Sequence, residues 1–238
     1  METVRLKMTR RGFFSGGGFS GTFTPLSAKV RNIAFEKQVA AHYTPDGTTW
    51  KETPLSFSSH FGDYDTFDET VNEQVLRFVI RYSVAGQTFY DNNFGSDYAF
   101  GSRLAIVGGN VALHRATAKQ GAQAGGGFVF TTSWFEGEIL VNNLGFVKNI
   151  GVRMTADGGA SWFDVPASFS SSTTTDGVFV GPDAEVWRFR TPELNLNTVA
   201  PAFRFAVFYG DASTGATFWD NNFSQDYKLN KGPGSVIS

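Results

Sequence analysis

One pattern, met twice, limits what this chain can fold into. It reads Thr88-Phe89-Tyr90-Asp91-Asn92-Asn93-Phe94 in the first half and Thr217-Phe218-Trp219-Asp220-Asn221-Asn222-Phe223 in the second. Each copy continues to an acid and a tyrosine, Asp97-Tyr98 and Asp226-Tyr227. The halves align elsewhere too. Val4 to Phe19 and Val111 to Phe128 are each a polar-apolar segment ending in Gly-Gly-Gly-Phe. Val30-Arg31-Asn32-Ile33-Ala34-Phe35-Glu36-Lys37 matches Val141-Asn142-Asn143-Leu144-Gly145-Phe146-Val147-Lys148. Trp50 pairs with Trp162, Phe57 with Phe169, and Arg77-Phe78 with Arg204-Phe205 after an insertion in the second half. Such self-similarity predicts two homologous units, divided as 1–107 and 108–238.

Both units read as all-β. Leu76, Phe78, Ile80 and Tyr82 alternate with Arg77, Val79 and Arg81. Phe203, Phe205, Val207 and Tyr209 alternate with Arg204, Ala206 and Phe208. Period two sends one set inward and the other outward on a pleated strand. Earlier strands end at Thr44-Pro45-Asp46-Gly47 and Thr155-Ala156-Asp157-Gly158. Asp-Gly is a turn signal, because Gly accepts positive φ and Asp bonds its own backbone. The 27 Gly and 16% aromatics, without a long 3.6-residue period, agree with short strands joined by turns. The predicted fold is two tandem immunoglobulin-like antiparallel β-sandwiches. Gly101 to Gly109 reads either as a last strand or as a linker.

Bulk properties exclude several functions. The net charge of −2 offers no basic field for nucleic acid. With no cysteine there is neither a disulfide framework nor a thiolate metal site. The three histidines are scattered, so no metal or cofactor is expected. No apolar run approaches the roughly 20 residues that span a bilayer, and no membrane partner is expected. Met1 to Lys7 has no apolar core of a signal peptide, so a cytoplasmic location is expected.

The repeated motif has two readings. Asx side chains hold turns and neighbouring aromatics fill cores. The alternative is sugar recognition. A pyranose has an apolar C–H face and a rim of hydroxyls. A flat Tyr or Trp covers the face, and a carboxamide offers a donor and an acceptor to adjacent hydroxyls. Tyr90 with Asn92, and Trp219 with Asn221, have that composition. Trp50 and Trp162, just past the Asp-Gly turns, are a second platform.

On Val-x-Asn-Ile/Leu-x-Phe-x-Lys and Phe-Tyr/Trp-Asp-Asn-Asn the chain resembles the starch- and glycogen-binding modules of carbohydrate-binding module family 21. The resemblance implies a non-catalytic β-sandwich that binds α-glucan. It implies stacking by Tyr90 and Trp219, hydroxyl binding by Asn92 and Asn221, and a tryptophan of the same site at Trp50 and Trp162. Asp91, Asp97, Asp220 and Asp226 complete the candidate set. Members usually carry Asn where Asp97 and Asp226 stand, and a family aromatic is replaced by Val79 and Ala206. The larger ring and Trp162 predict the stronger site in the second unit. Phosphatase-targeting relatives use a basic-Val-x-aromatic docking segment; Lys29-Val30-Arg31-Asn32 lacks the aromatic, so any protein partner is unknown.

Two other functions compete. A glycoside hydrolase needs two carboxyls at about 5–10 Å with one pKa raised. Asp63, Asp65, Asp68, Glu69, Asp183 and Glu185 read as solvated loop acids, not repeated between units. A scaffold with inert sugar sites is the other alternative.

Overall fold

The computed structural model describes residues 2–238. The chain divides into two compact units. One runs to Asn110 and includes Phe179–Ala184; the other comprises Val111–Val178 and Glu185–Ser238. Both are antiparallel β-sandwiches, as the alternation predicts, and no α-helix is found among the described residues.

In the first unit one sheet runs in the order Ala105–Val107, Val4–Arg10, Phe19–Arg31, Tyr64–Val71, Ser56–His60. The other runs Tyr98–Ala99, Arg77–Val84, Lys37–Thr44, Lys51–Pro54, and Gln87–Asp91 also pairs with Arg77–Val84. Ala105–Val107 is thus a closing strand, paired with Val4–Arg10. Phe78, Ile80 and Tyr82 are fully buried against Leu6, Val30, Val39 and Phe100. The Tyr82 hydroxyl, also buried, donates to the Arg31 carbonyl at 2.8 Å, so its polar end is satisfied.

The second unit repeats the plan. Ser168–Ser171, Ala184–Arg190, Phe128–Asn142, Val111–Gly125 and Val236–Ile237 form one sheet. Phe163–Pro166, Lys148–Thr155, Ala202–Asp211 and Ala216–Asp220 form the other, with Tyr227–Asn230 beside Ala202–Asp211. Phe135 sits at the centre, with ring centroids 4.7 Å from Phe205 and 5.1 Å from Phe203. The alternation of Ala202–Asp211 is incomplete: the outward residues Ala206 and Phe208 are buried as well.

The Val-x-Asn motif has a structural explanation. Lys37 folds back to Asn32 at 2.7 Å and pairs with buried Asp65; Lys148 reaches Asn143 at 2.8 Å and Glu185 at 3.1 Å. Asp65 and Glu185 lie on strands and recur in both units. This corrects the expectation of solvated, unrepeated loop acids. Each is committed to an ion pair. Lys29 and Val30 are buried in the strand Phe19–Arg31, so that stretch presents no docking segment.

Candidate functional site

Strand register assembles one outer sheet face in each unit. In the first, Tyr90 lies opposite Arg81, Arg81 opposite Ala40, and His42 opposite Glu52. In the second, Trp219 lies opposite Phe208, Phe208 opposite Gly151, and Arg153 opposite Asp164. The two sets correspond position by position. All project from the outer face, because their strand neighbours Ile80, Tyr82, Val207 and Tyr209 point into the core.

The first face is charged. Tyr90, 55% exposed, meets the His42 ring edge-on at 6.4 Å. Glu52 pairs with His42 and, at 2.7 Å, with Arg81. The second face is aromatic. Trp219, 37% exposed, lies against the Phe208 ring at 5.3 Å. The Arg153 guanidinium stands 5.5 Å from its centroid and is clamped by Asp164 at 2.7 and 2.8 Å. That ion pair raises the Arg153 pKa, first through the Asp164 hydrogen bonds. The residues that frame the rings (Arg81, His42, Glu52, Phe208, Arg153, Asp164) were missed from sequence. Their signal is cross-strand pairing, which a linear motif does not contain.

The Asp-Asn-Asn loops split their side chains between structure and surface. Asp91 faces inward: its Oδ2 accepts the Leu6 amide at 2.6 Å and the Tyr98 hydroxyl at 2.8 Å. Asp220, 1% exposed, does the same for the Leu113 amide at 2.9 Å and the Tyr227 hydroxyl at 2.6 Å. Burial first, then the Asp91 charge, pushes the Tyr98 hydroxyl pKa well up. Asp91 and Asp220 are therefore struts holding the loop to the sandwich, a correction to their place among the sugar contacts. Asp91 sits opposite core-facing Ile80, so its parity sends it inward.

The amides behave differently. Asn92 Oδ1 accepts the Gly95 amide at 3.0 Å, and Asn221 Oδ1 the Ser224 amide at 3.0 Å. Their Nδ2 groups make no hydrogen bond among the described residues and keep two donors to offer. Asn93 and Asn222 donate back to the carbonyls of Asp97 and Asp226 at 3.1 Å each. Asn93, Phe94 and Asp97, like Asn222, Phe223 and Asp226, have positive φ between 51° and 58°. Asn and Asp tolerate that region better than other side chains, which explains their density here.

Asp97 and Asp226 are engaged by arginine. Arg77 donates to Asp97 at 2.6 Å and Arg204 to Asp226 at 2.8 Å. The Arg204 guanidinium also stands 5.8 Å from the Trp162 ring centroid. Trp162 is thereby tied to the Asn221–Asp226 loop. It lies on the far edge of the sheet from Trp219, with two strands between. Three strand spacings are about 14 Å, so the two rings start from opposite edges of the sheet. Trp50, 46% exposed, has the same placement relative to Tyr90. Both tryptophans follow rigid turns. Asp46 accepts the amides of Thr49 at 2.7 Å and Thr48 at 2.8 Å, which hold its pKa well below the usual range. Asp157 is held down likewise, chiefly by the Ser161 hydroxyl and amide.

The model of the carbohydrate/starch-binding module, family 21, matches residues 26–101 and 111–230. Glucoamylase 1 of Rhizopus oryzae is 32% identical over 95 residues, 36% of this chain and 14% of that protein. Protein phosphatase 1 regulatory subunit 3E of Rattus norvegicus is 36% identical over 93 residues, 39% of this chain and 30% of that protein. The chain thus spans a minor part of these relatives. The solved starch-binding domain of Rhizopus oryzae glucoamylase, in complex with β-cyclodextrin and maltoheptaose, is 27% identical. That match covers 39% of this chain and 91% of the domain, with a TM-score of 0.29. Two matched segments, together most of the chain and one in each sandwich, show that the protein belongs to the carbohydrate/starch-binding modules of family 21.

Proposed function

We propose that each unit binds an α-glucan chain of the starch or glycogen kind without cleaving it. One observation carries this reading. A half-exposed ring on an outer sheet face and an asparagine Nδ2 with no internal partner recur at the same register in both units. The ring covers the C–H face of a glucose residue. The amide donates to a neighbouring hydroxyl. Trp50 and Trp162 meet a different residue of the same chain, since a glucan several residues long reaches from one sheet edge to the other. Asp97 and Asp226 act as positioning groups through Arg77 and Arg204. The family named above, a carbohydrate/starch-binding module, agrees with the substrate class.

Titration with maltoheptaose and β-cyclodextrin, and co-sedimentation with amylose, test the reading. The wild-type chain should bind all three. Tyr90→Ala combined with Trp219→Ala should weaken binding by about fivefold at the first site and about thirtyfold at the second while the far-ultraviolet spectrum is unchanged. Binding that is not weakened by the double substitution would reject these residues as the platform. Release of reducing sugar from amylose by the pure chain would reject the non-catalytic reading.

A further inference from the structure

Each unit also carries a β-hairpin whose chemistry the glucan face does not use. Gly12–Gly16 pairs with the start of Phe19–Arg31, with Gly16 opposite Phe19 at the tip. The far ends of Val111–Gly125 and Phe128–Asn142 form the second, with Gly125 opposite Phe128. Gly17 and Gly18, and Gly126 and Gly127, turn the chain at positive φ. The sequence holds no ionisable side chain from Gly12 to Ala28 or from Gln120 to Phe135.

Register puts three aromatics of each hairpin on one face, while Phe13, opposite Thr22, stands on the other. Phe23, Phe14 and Phe19 lie opposite Gly12, Gly21 and Gly16. The tips of the Phe23 and Phe14 rings reach over their glycines: a Cβ on Gly12 would stand 2.2 Å from Phe23, and one on Gly21 would stand 2.5 Å from Phe14. In the second hairpin Trp134, Phe130 and Phe128 make the corresponding row, and the Phe128 and Phe130 rings are 6.5 Å apart. The tips are open to solvent, with Phe19 78%, Phe128 70% and Val129 74% exposed. A cation closes the inner end of each row. Arg10 stands 5.7 Å from the Phe23 centroid, and Arg190 stands 4.9 Å from that of Trp134.

We propose that these hairpins dip into the interface of an anionic lipid bilayer. Aromatic rings favour the headgroup boundary, and a charge-free ribbon enters it without desolvating an ion. The ribbon's inner backbone groups are already paired with each other, and only its outer edges need headgroups or water, which sets a shallow depth. Arg10 then meets the phosphate layer, where anionic lipid attracts basic side chains. Arg190 is paired with Glu193 at 2.7 Å, so the first hairpin supplies more of the charge dependence. A glycan platform is disfavoured at the first tip, because only serine and threonine hydroxyls accompany its rings. The expectation of no membrane partner rested on the absence of a spanning segment, which this mode does not require. The inference does not depend on the glucan reading.

The test is flotation of the full chain with phosphatidylcholine vesicles, with and without phosphatidylserine. The wild type should float with the phosphatidylserine vesicles and lose association as salt rises. Phe14→Ser with Phe19→Ser, and Phe128→Ser with Phe130→Ser, should each lower partitioning about tenfold while amylose co-sedimentation is unchanged. Arg10→Gln should lower flotation on phosphatidylserine vesicles alone. A wild type that stays unbound, or tip variants that float as well as the wild type, would overturn the proposal. Equal flotation on both vesicle types would overturn its anionic part. Loss of amylose binding in the tip variants would make the hairpins a glycan surface, and a change in their elution volume on gel filtration would make them a contact between copies.

Discussion

The strands Arg77–Val84 and Ala202–Asp211 occupy the same place in their two sheets and differ in how they treat water. The first alternates cleanly, with Arg81 outward beneath Tyr90. The second buries Phe208 as well, beneath Trp219. The neighbouring strand records the difference. Opposite Arg81 stands Ala40; opposite Phe208 stands Gly151, where a Cβ would lie 2.9 Å from the Phe208 ring and 2.5 Å from the Val165 carbonyl. The first sheet braces its ring with ions alone, the second with the Arg153–Asp164 pair and a second ring laid on bare backbone. The same register thus supports two ways of holding an exposed aromatic ring. The second adds packing to its ion pair, whereas the first relies on pairs that solvent and salt weaken.

The largest expected effect sits below the platforms. Asp220→Ala should destabilise the second unit by about 3 kcal/mol, because a buried amide and a buried hydroxyl lose their charged acceptor. Asp91→Ala should cost about half as much in the first unit, where the carboxylate is only partly buried. Urea unfolding measures both, and equal losses would erase the difference in burial. Next comes the ring itself. Trp219→Ala should weaken maltoheptaose binding at its site by about 2 kcal/mol, and Tyr90→Ala by about 1 kcal/mol. Calorimetry on the single variants ranks the sites, and a larger loss at Tyr90 would reverse the comparison. Gly151→Ala should cost about 1–3 kcal/mol of stability by displacing Phe208, whereas Ala40→Gly should cost about 1 kcal/mol or less. Arg81→Phe combined with Ala40→Gly should make the first face resemble the second and tighten binding a few-fold; unchanged affinity would show that the underlying ring adds nothing.

The smallest expected effect is that of pH. Asp46 and Asp157 have pKa values lowered by folding. Their contribution is fully present above the ordinary carboxylate pKa of about 4 and is lost as pH falls below it toward the depressed values. Glucan affinity at the second face, which carries Arg153 where the first has His42, should be flat from about pH 8 to pH 5 and decline only in acid. A decline above pH 5 at that face would mean that the turn under Trp162 is not what holds its ring in place.

Much of the fold was legible. The inward residues Phe78, Ile80 and Tyr82, and Phe203 to Tyr209 at every second position, follow from period two, although Leu76 precedes its strand and is only partly buried; the Asp-Gly turns follow from local chemistry. Tyr90, Trp219, Trp50 and Trp162 do reach the surface. Hidden from the sequence was which acid turns inward. Asp91 and Asp97 look alike in a linear motif, yet one is a strut and the other an arginine partner. That choice depends on hairpin register, set by pairing with distant strands. The burial of Phe208 was hidden for the same reason, since Gly151 lies 57 positions away (208 − 151) and meets it only across the sheet.

The struts have a consequence for motion. Asp91 and Asp220 bind the amides of Leu6 and Leu113, which belong to the opposite sheet of each sandwich. The loop that presents the asparagine cannot swing outward without releasing that amide to solvent. Loop opening and sheet separation are thus one event, and the Leu6 and Leu113 amides should exchange hydrogen only as fast as the whole unit unfolds. A glucan captured there would slow that exchange throughout its unit, so that the sugar acts as a fastener for the sandwich as well as its cargo.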